Sequence, residues 1–142
     1  MWRILLILYT IVILASGVYG SVFVAHSHWE YVIWLPLPSE IRTFEFWFDI
    51  LVNVALYVPF AMLFLQHKNS ADFSTLTRLM ILALLLSCIV ELYQVYSHNR
   101  RPSPLDIVCN VSGAVMGTRL WNIWRNRFRP LTDSKAPTIP IP

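Results

Sequence analysis

Carboxylates and amides recur at short helical spacings in three stretches of this sequence. Asp49 and Asn53 are four residues apart, as are Asp106 and Asn110, and Glu91 and Gln94 are three apart. On a helix each spacing puts both members on one face. Arg100 and Arg101 occupy the short basic turn before Asp106. Three acids beside two guanidinium groups could hydrogen-bond a sugar or peptide while gripping a phosphate or carboxylate, or hold a hard divalent cation through oxygen. These side chains lie in or beside apolar runs long enough to cross a bilayer, where a charge at the centre costs about 2.5–3.5 kcal/mol or more.

The elements that must position them follow from composition. The 142 residues make room for one domain, and 56% hydrophobic against 13% charged residues is far from the soluble balance. The expectation is an all-α integral membrane protein, a bundle of four transmembrane helices. The formal charge of +3 comes mostly from arginines flanking apolar segments. That reads as an orientation signal and argues against nucleic acid as a partner, because no basic stripe with interleaved aromatics accompanies it. Cys88 and Cys109 fall at different depths in their spans and are not expected to pair.

In chain order, residues 2–24 form the first apolar run and are read as a retained helix rather than a cleaved signal peptide, since the run is long and Tyr19 fits a small-x-small cleavage site poorly. From His26 to Trp47, six aromatics and Pro36 and Pro38 predict an interfacial segment broken by a turn. His26 and His28, with Glu30 nearby, are read as wet interfacial histidines in preference to metal ligands. The second span is placed at 48–66 with Pro59 kinking it, the third at 78–96, and the fourth at 105–124. Gly113 and Gly117 form a small-x-x-x-small step that lets another helix approach closely. Residues 129–142 read as a disordered, Pro-rich tail, leaving 1–128 as the folded domain. The second and fourth spans share Asp-Ile-x-x-Asn-Val, which suggests two parallel helix-pair repeats.

Four spans put both termini on one side. That side would hold eight Lys and Arg against three on the other, which places the termini in the cytoplasm. Asp49, Asn53, Glu91, Gln94, Arg100, Asp106 and Asn110 would then cluster near the outer ends of three helices.

The combination Glu91-x-x-Gln94, Arg100, Ser103, Asp106, Asn110, Gly113 and Gly117, preceded by Asp49-x-x-x-Asn53 and Pro59, resembles the pattern of the VanZ-like family of small bacterial membrane proteins. The resemblance covers roughly Phe48 to Gly117; Ala61 departs from it, standing where the family often has glycine, which bears on local helix packing. It implies a bacterial cytoplasmic (inner) membrane location and a role linked to the cell envelope, with glycopeptide resistance as the family's named association.

Each polar residue also has a plain structural reading. Asn53, Gln94 and Asn110 read first as hydrogen-bond glue between helices, worth about 0.6–2 kcal/mol per contact, and Glu91 could pair with Arg100 or Arg101 across the turn. The three acids outnumber the nearby arginines and lean toward function. Three functions are consistent with this. The first is a binding module for an envelope lipid, glycan or glycopeptide headgroup. The second is an enzyme acting on a lipid-linked phosphate with a divalent cation held by Asp49, Glu91 and Asp106. The third is an assembly or transport component whose polar contacts are structural, with a second copy of the chain as a candidate partner. No recognised catalytic motif is present, so binding ranks first, with no cofactor expected under that reading.

Overall fold

A computed structural model describes residues 1–128; the tail expected over 129–142 lies outside the described residues. Four helices make up the fold: α1 (Trp2–Val18), α2 (Phe44–Lys68), α3 (Phe73–Val95) and α4 (Pro104–Phe128). Of these, α2 and α3 are long and apolar enough to cross a membrane. The 17-residue α1 is apolar but short, and α4 carries Asp106, Arg119, Arg125 and Arg127 along its length. The four-span expectation is therefore met in helix number, with membrane-spanning character evident by length and composition in two.

The helix ends differ from the sequence expectation for identifiable reasons. The first helix stops at Val18, six residues early. Gly20 adopts φ +71°, a conformation that costs glycine little, and the following strand-like segment finds backbone partners elsewhere. Val24 N–H donates to the Tyr96 carbonyl and His98 N–H to that of Val22, with Phe23 bridged to Ser97. The second helix starts at Phe44, because Thr43 caps it by accepting from Phe46 N–H. It ends at Asn69, whose left-handed φ of 53° suits an amide side chain. The third starts at Phe73 behind Asp72, which leaves only a four-residue turn where eleven residues of loop were expected.

Three pairs of contacts set the helix directions. Gly113 abuts the Val54 carbonyl and Gly117 that of Val58, so α2 and α4 run parallel at one level. Asn110 bonds Ser87 and Ser103 bonds Glu91, so α4 runs opposite to α3. Tyr9 Oη donates to the Leu56 carbonyl at 3.0 Å while Trp2 shares a groove with Pro59 and Gln66, so α1 runs opposite to α2. That Tyr9 bond falls in the turn where Pro59 has removed a backbone donor. The C-terminal ends of α1 and α3 thus meet the N-terminal ends of α2 and α4. Ile13, Tyr57, Phe60, Leu65, Leu79, Ala83, Ala114 and Trp121 form the core between the helices. Ile, Leu, Val and Met on the outward faces of all four are exposed.

Candidate functional site

One cavity of about 380 Å³ opens where these four helix ends meet, and Asp49, Asn53, Glu91, Gln94, Arg100, Asp106 and Asn110 all line it. The α2 and α4 pairs reach it because the two helices run parallel, so their matching Asp and Asn residues face the same space from adjacent walls. Arg101 joins the lining from the α3–α4 turn, and Ser16 and Gly17 join it from α1.

The start of α4 shows how the acids are divided between structure and cavity. Ser103 is the N-cap: its hydroxyl accepts from Leu105 N–H at 3.2 Å, Pro104 follows at the first helical position, and Asp106 stands three residues after the cap. In a capping box that acid would reach back to the Ser103 N–H. Here Glu91 of α3 accepts that N–H through Oε2 at 2.8 Å, which leaves Asp106 free to face the cavity. Glu91 makes this bond and not the pairing with Arg100 or Arg101 that the sequence left open. Arg100 donates through Nη2 to the Tyr19 carbonyl, and Arg101 is held at 3.1 Å by Glu40 from the segment before α2.

The amides act partly as glue between helices. Asn110 donates through Nδ2 to Ser87 Oγ at 2.7 Å, and Gln94 donates weakly to the Gly17 carbonyl at 3.4 Å. Asn53 is half-buried on the cavity wall. Asn99, missed in the sequence reading, ties the turn to the α1 exit by accepting from Val22 N–H and donating to the Gly20 carbonyl. Tyr57 was missed as well, although it stands four residues after Asn53 and so on the same face.

Three buried polar atoms around this cavity have no hydrogen-bond partner among the described residues: Tyr57 Oη, Arg100 Nε and Asn110 Oδ1. Tyr57 Oη faces the Ser87 hydroxyl without good hydrogen-bond geometry. Buried polar groups are ordinarily satisfied, and these three exceptions belong to residues that line one cavity.

Asp49, Glu91 and Asp106 do not converge as a cation cage; among the described residues no three His, Cys, Asp or Glu side chains do so. Of the two histidines read as wet, His26 is exposed and His28 is not. His28 is 5% exposed, stacked on Tyr31 and edge-on to His26 and His98, with Nδ1 at 3.0 Å from Glu30. It is a buried anchor of the segment rather than a wet interfacial side chain, because its own N–H donates to the Val95 carbonyl and draws the ring in. Its hydrogen bond holds the Glu30 carboxyl below the usual range. Both cysteines are free.

Fold and site together define a protein whose described residues are helical, with membrane-capable helices and an open polar cavity at one end of the bundle. The VanZ/LLP1 family model matches residues 1–125, and the chain belongs to that family. The match takes in α1, which lies outside the motif stretch from Phe48 to Gly117. No curated protein and no solved structure matches the chain.

Proposed function

We propose that this VanZ-like protein crosses the bacterial inner membrane four times with both termini in the cytoplasm, and that its outward cavity binds the polar headgroup of a cell-envelope lipid, glycan or glycopeptide. The observation that carries the binding reading is the set of unpartnered atoms, Tyr57 Oη, Arg100 Nε and Asn110 Oδ1, on one cavity that also holds three carboxylates. Four spans are supported by the exposed apolar side chains on every helix, among them Ile7 and Ile11 of α1 and Val108, Met116 and Ile123 of α4. In water such a surface would drive association; in hydrocarbon it is the ordinary exterior. The Asp-Ile-x-x-Asn-Val copies, side by side on parallel helices, support a helix-pair repeat.

A cation-dependent enzyme acting on lipid-linked phosphate is the weaker reading, since its three oxygen ligands do not come together and Glu91 Oε2 already accepts a backbone N–H. A purely structural role explains Asn110 Nδ2 but not the orphaned atoms. Glycopeptide tolerance would follow if the bound headgroup belongs to the envelope material that a glycopeptide targets.

The test is lipid-resolved mass spectrometry of the full chain extracted from its own membrane. The expected result is a headgroup enriched over the bulk membrane, with enrichment lost in Arg100→Ala and Asp106→Asn proteins that fold as the wild type does. An enriched species indifferent to both substitutions, or no enrichment at all, overturns the reading.

A further inference from the structure

The hydrogen-bonding roles of the cavity atoms narrow the chemistry of the occupant. Acceptors dominate. Asn110 commits Nδ2 to Ser87, so the atom it leaves unpartnered, Oδ1, can only accept. Glu91 keeps Oε1 after Oε2 has taken the Ser103 N–H. Asp49 and Asp106 lie within electrostatic range of each other, and neither carboxyl accepts a hydrogen bond from the described residues. On the donor side, Arg101 gives Nη2 to Glu40 and Arg100 gives Nη2 to Tyr19; Arg100 keeps its other N–H groups, Nε among them buried and without a partner. Three acidic side chains thus share the cavity with one guanidinium, that of Arg100, that has no ion-pair partner among the described residues. A wholly anionic occupant such as a pyrophosphate would meet more like charge than unlike, whereas a donor with positive charge would answer both the acceptors and the excess negative charge. The acidic cluster does not stand alone here: Tyr57 and Asn110, 1% and 4% exposed, each present an unpartnered polar atom on the same cavity.

Resting on the headgroup-binding reading above, we propose that the cavity takes a zwitterionic aminoalkyl phosphate of the phosphoethanolamine type. Its primary ammonium donates to Asp49, Asp106 and Asn110 Oδ1, and one phosphate oxygen accepts from Arg100 Nε. About 380 Å³ is at the small end of ligand sites, which suits a headgroup and leaves acyl chains outside. The same chemistry is offered by a phosphatidylethanolamine headgroup and by free phosphoethanolamine.

The experiment is a tryptophan-fluorescence titration of the full chain in lipid-free detergent. The probes are short-chain phosphatidylethanolamine, phosphatidylcholine and phosphatidylglycerol, and free phosphoethanolamine. Phosphatidylethanolamine is expected to bind at least tenfold more tightly than the other two lipids. Phosphatidylcholine is the critical control, since its quaternary ammonium keeps the charge but cannot donate a hydrogen bond. Asp106→Asn and Arg100→Gln should each weaken that binding about tenfold, with Asp49→Asn as a substitute if Asp106→Asn fails to fold. Tight binding of free phosphoethanolamine supports the proposal with a soluble source, and binding only of the lipid supports it with a membrane source. Equal affinity for phosphatidylcholine, or a preference for phosphatidylglycerol lost in Arg100→Gln, overturns the ammonium assignment but leaves headgroup binding standing. No binding of any probe, with an enriched species of another class found in the extracted protein, likewise overturns only this inference; no cavity-dependent ligand in either experiment removes both.

Discussion

Glu91 and Asn110 each divide their polar atoms between holding helices together and facing the cavity, and the division makes separable predictions. Glu91→Ala strips the buried Ser103 N–H of its acceptor, at a cost of about 1–3 kcal/mol. Glu91→Gln retains an acceptor oxygen and should lose less. Chemical unfolding in detergent, followed by helix signal, would check the order; a glutamine variant as unstable as the alanine variant would mean that charge, not the cap bond, carries the effect. Ser87→Ala similarly leaves Asn110 Nδ2 without its partner at 2.7 Å. It should destabilise by about 1–3 kcal/mol, whereas Ser87→Ala combined with Asn110→Leu removes both partners and should recover much of that loss while abolishing the Oδ1 acceptor.

At the scale of elements, the parallel contact between α2 and α4 depends on small side chains. A Cβ on Gly117 would overlap the Val58 carbonyl oxygen and come within 2.8 Å of the Ala61 Cβ. Gly117→Ala is therefore expected to destabilise by about 1–3 kcal/mol, and adding Ala61→Gly should restore only part of the loss, because the Val58 carbonyl remains in the way. Full restoration would show that Ala61 alone sets the spacing. Gly17 of α1 abuts the Val90 side chain of α3 rather than a backbone carbonyl, so Gly17→Leu should loosen the cavity wall nearest Gln94 and raise proteolysis between α1 and α2. At the other end of the bundle, Asp72 precedes α3 and accepts from the hydroxyls of Ser70 and Thr75. These bonds hold its carboxyl down at about 2. A depressed folded value means the contribution is complete above the unfolded value near 3.9 and is lost as pH falls toward 2. Asp72→Ala should lower the thermal midpoint at neutral pH, and the gap from wild type should narrow as pH falls from about 4 to 2; a gap that is constant across that window would contradict the assignment.

For the whole molecule, the arrangement makes a topological prediction. In a protein with Cys88→Ser and Cys109→Ser, a cysteine introduced at Ser39, in the segment before α2, should react with a membrane-impermeant maleimide in intact cells, and one at Ser70, in the α2–α3 turn, only after permeabilisation. Labelling of both from outside would rule out the four-span orientation. Much of this architecture was legible in the sequence. Helix number followed from apolar run length, and the shared depth of Asp49, Glu91 and Asp106 followed from spacing on antiparallel helices, since both depend on local composition and a fixed rise per residue. The early end of α1 was not legible, because it depends on Val22, Val24 and His28 finding backbone partners at residues 95–98, more than 65 positions away. Nor was the partner of Glu91: two arginines nearby in sequence were the obvious choice, and only folding shows them drawn off to Tyr19 and Glu40. The sequence by itself determined which residues are polar, on which helix face they stand and at which end of the bundle, because helical periodicity and hydropathy are local properties. Tertiary structure alone decided which polar atoms are spent on other helices and which remain unpartnered on the cavity, because a hydrogen bond is directional and its outcome depends on the relative placement of four helices.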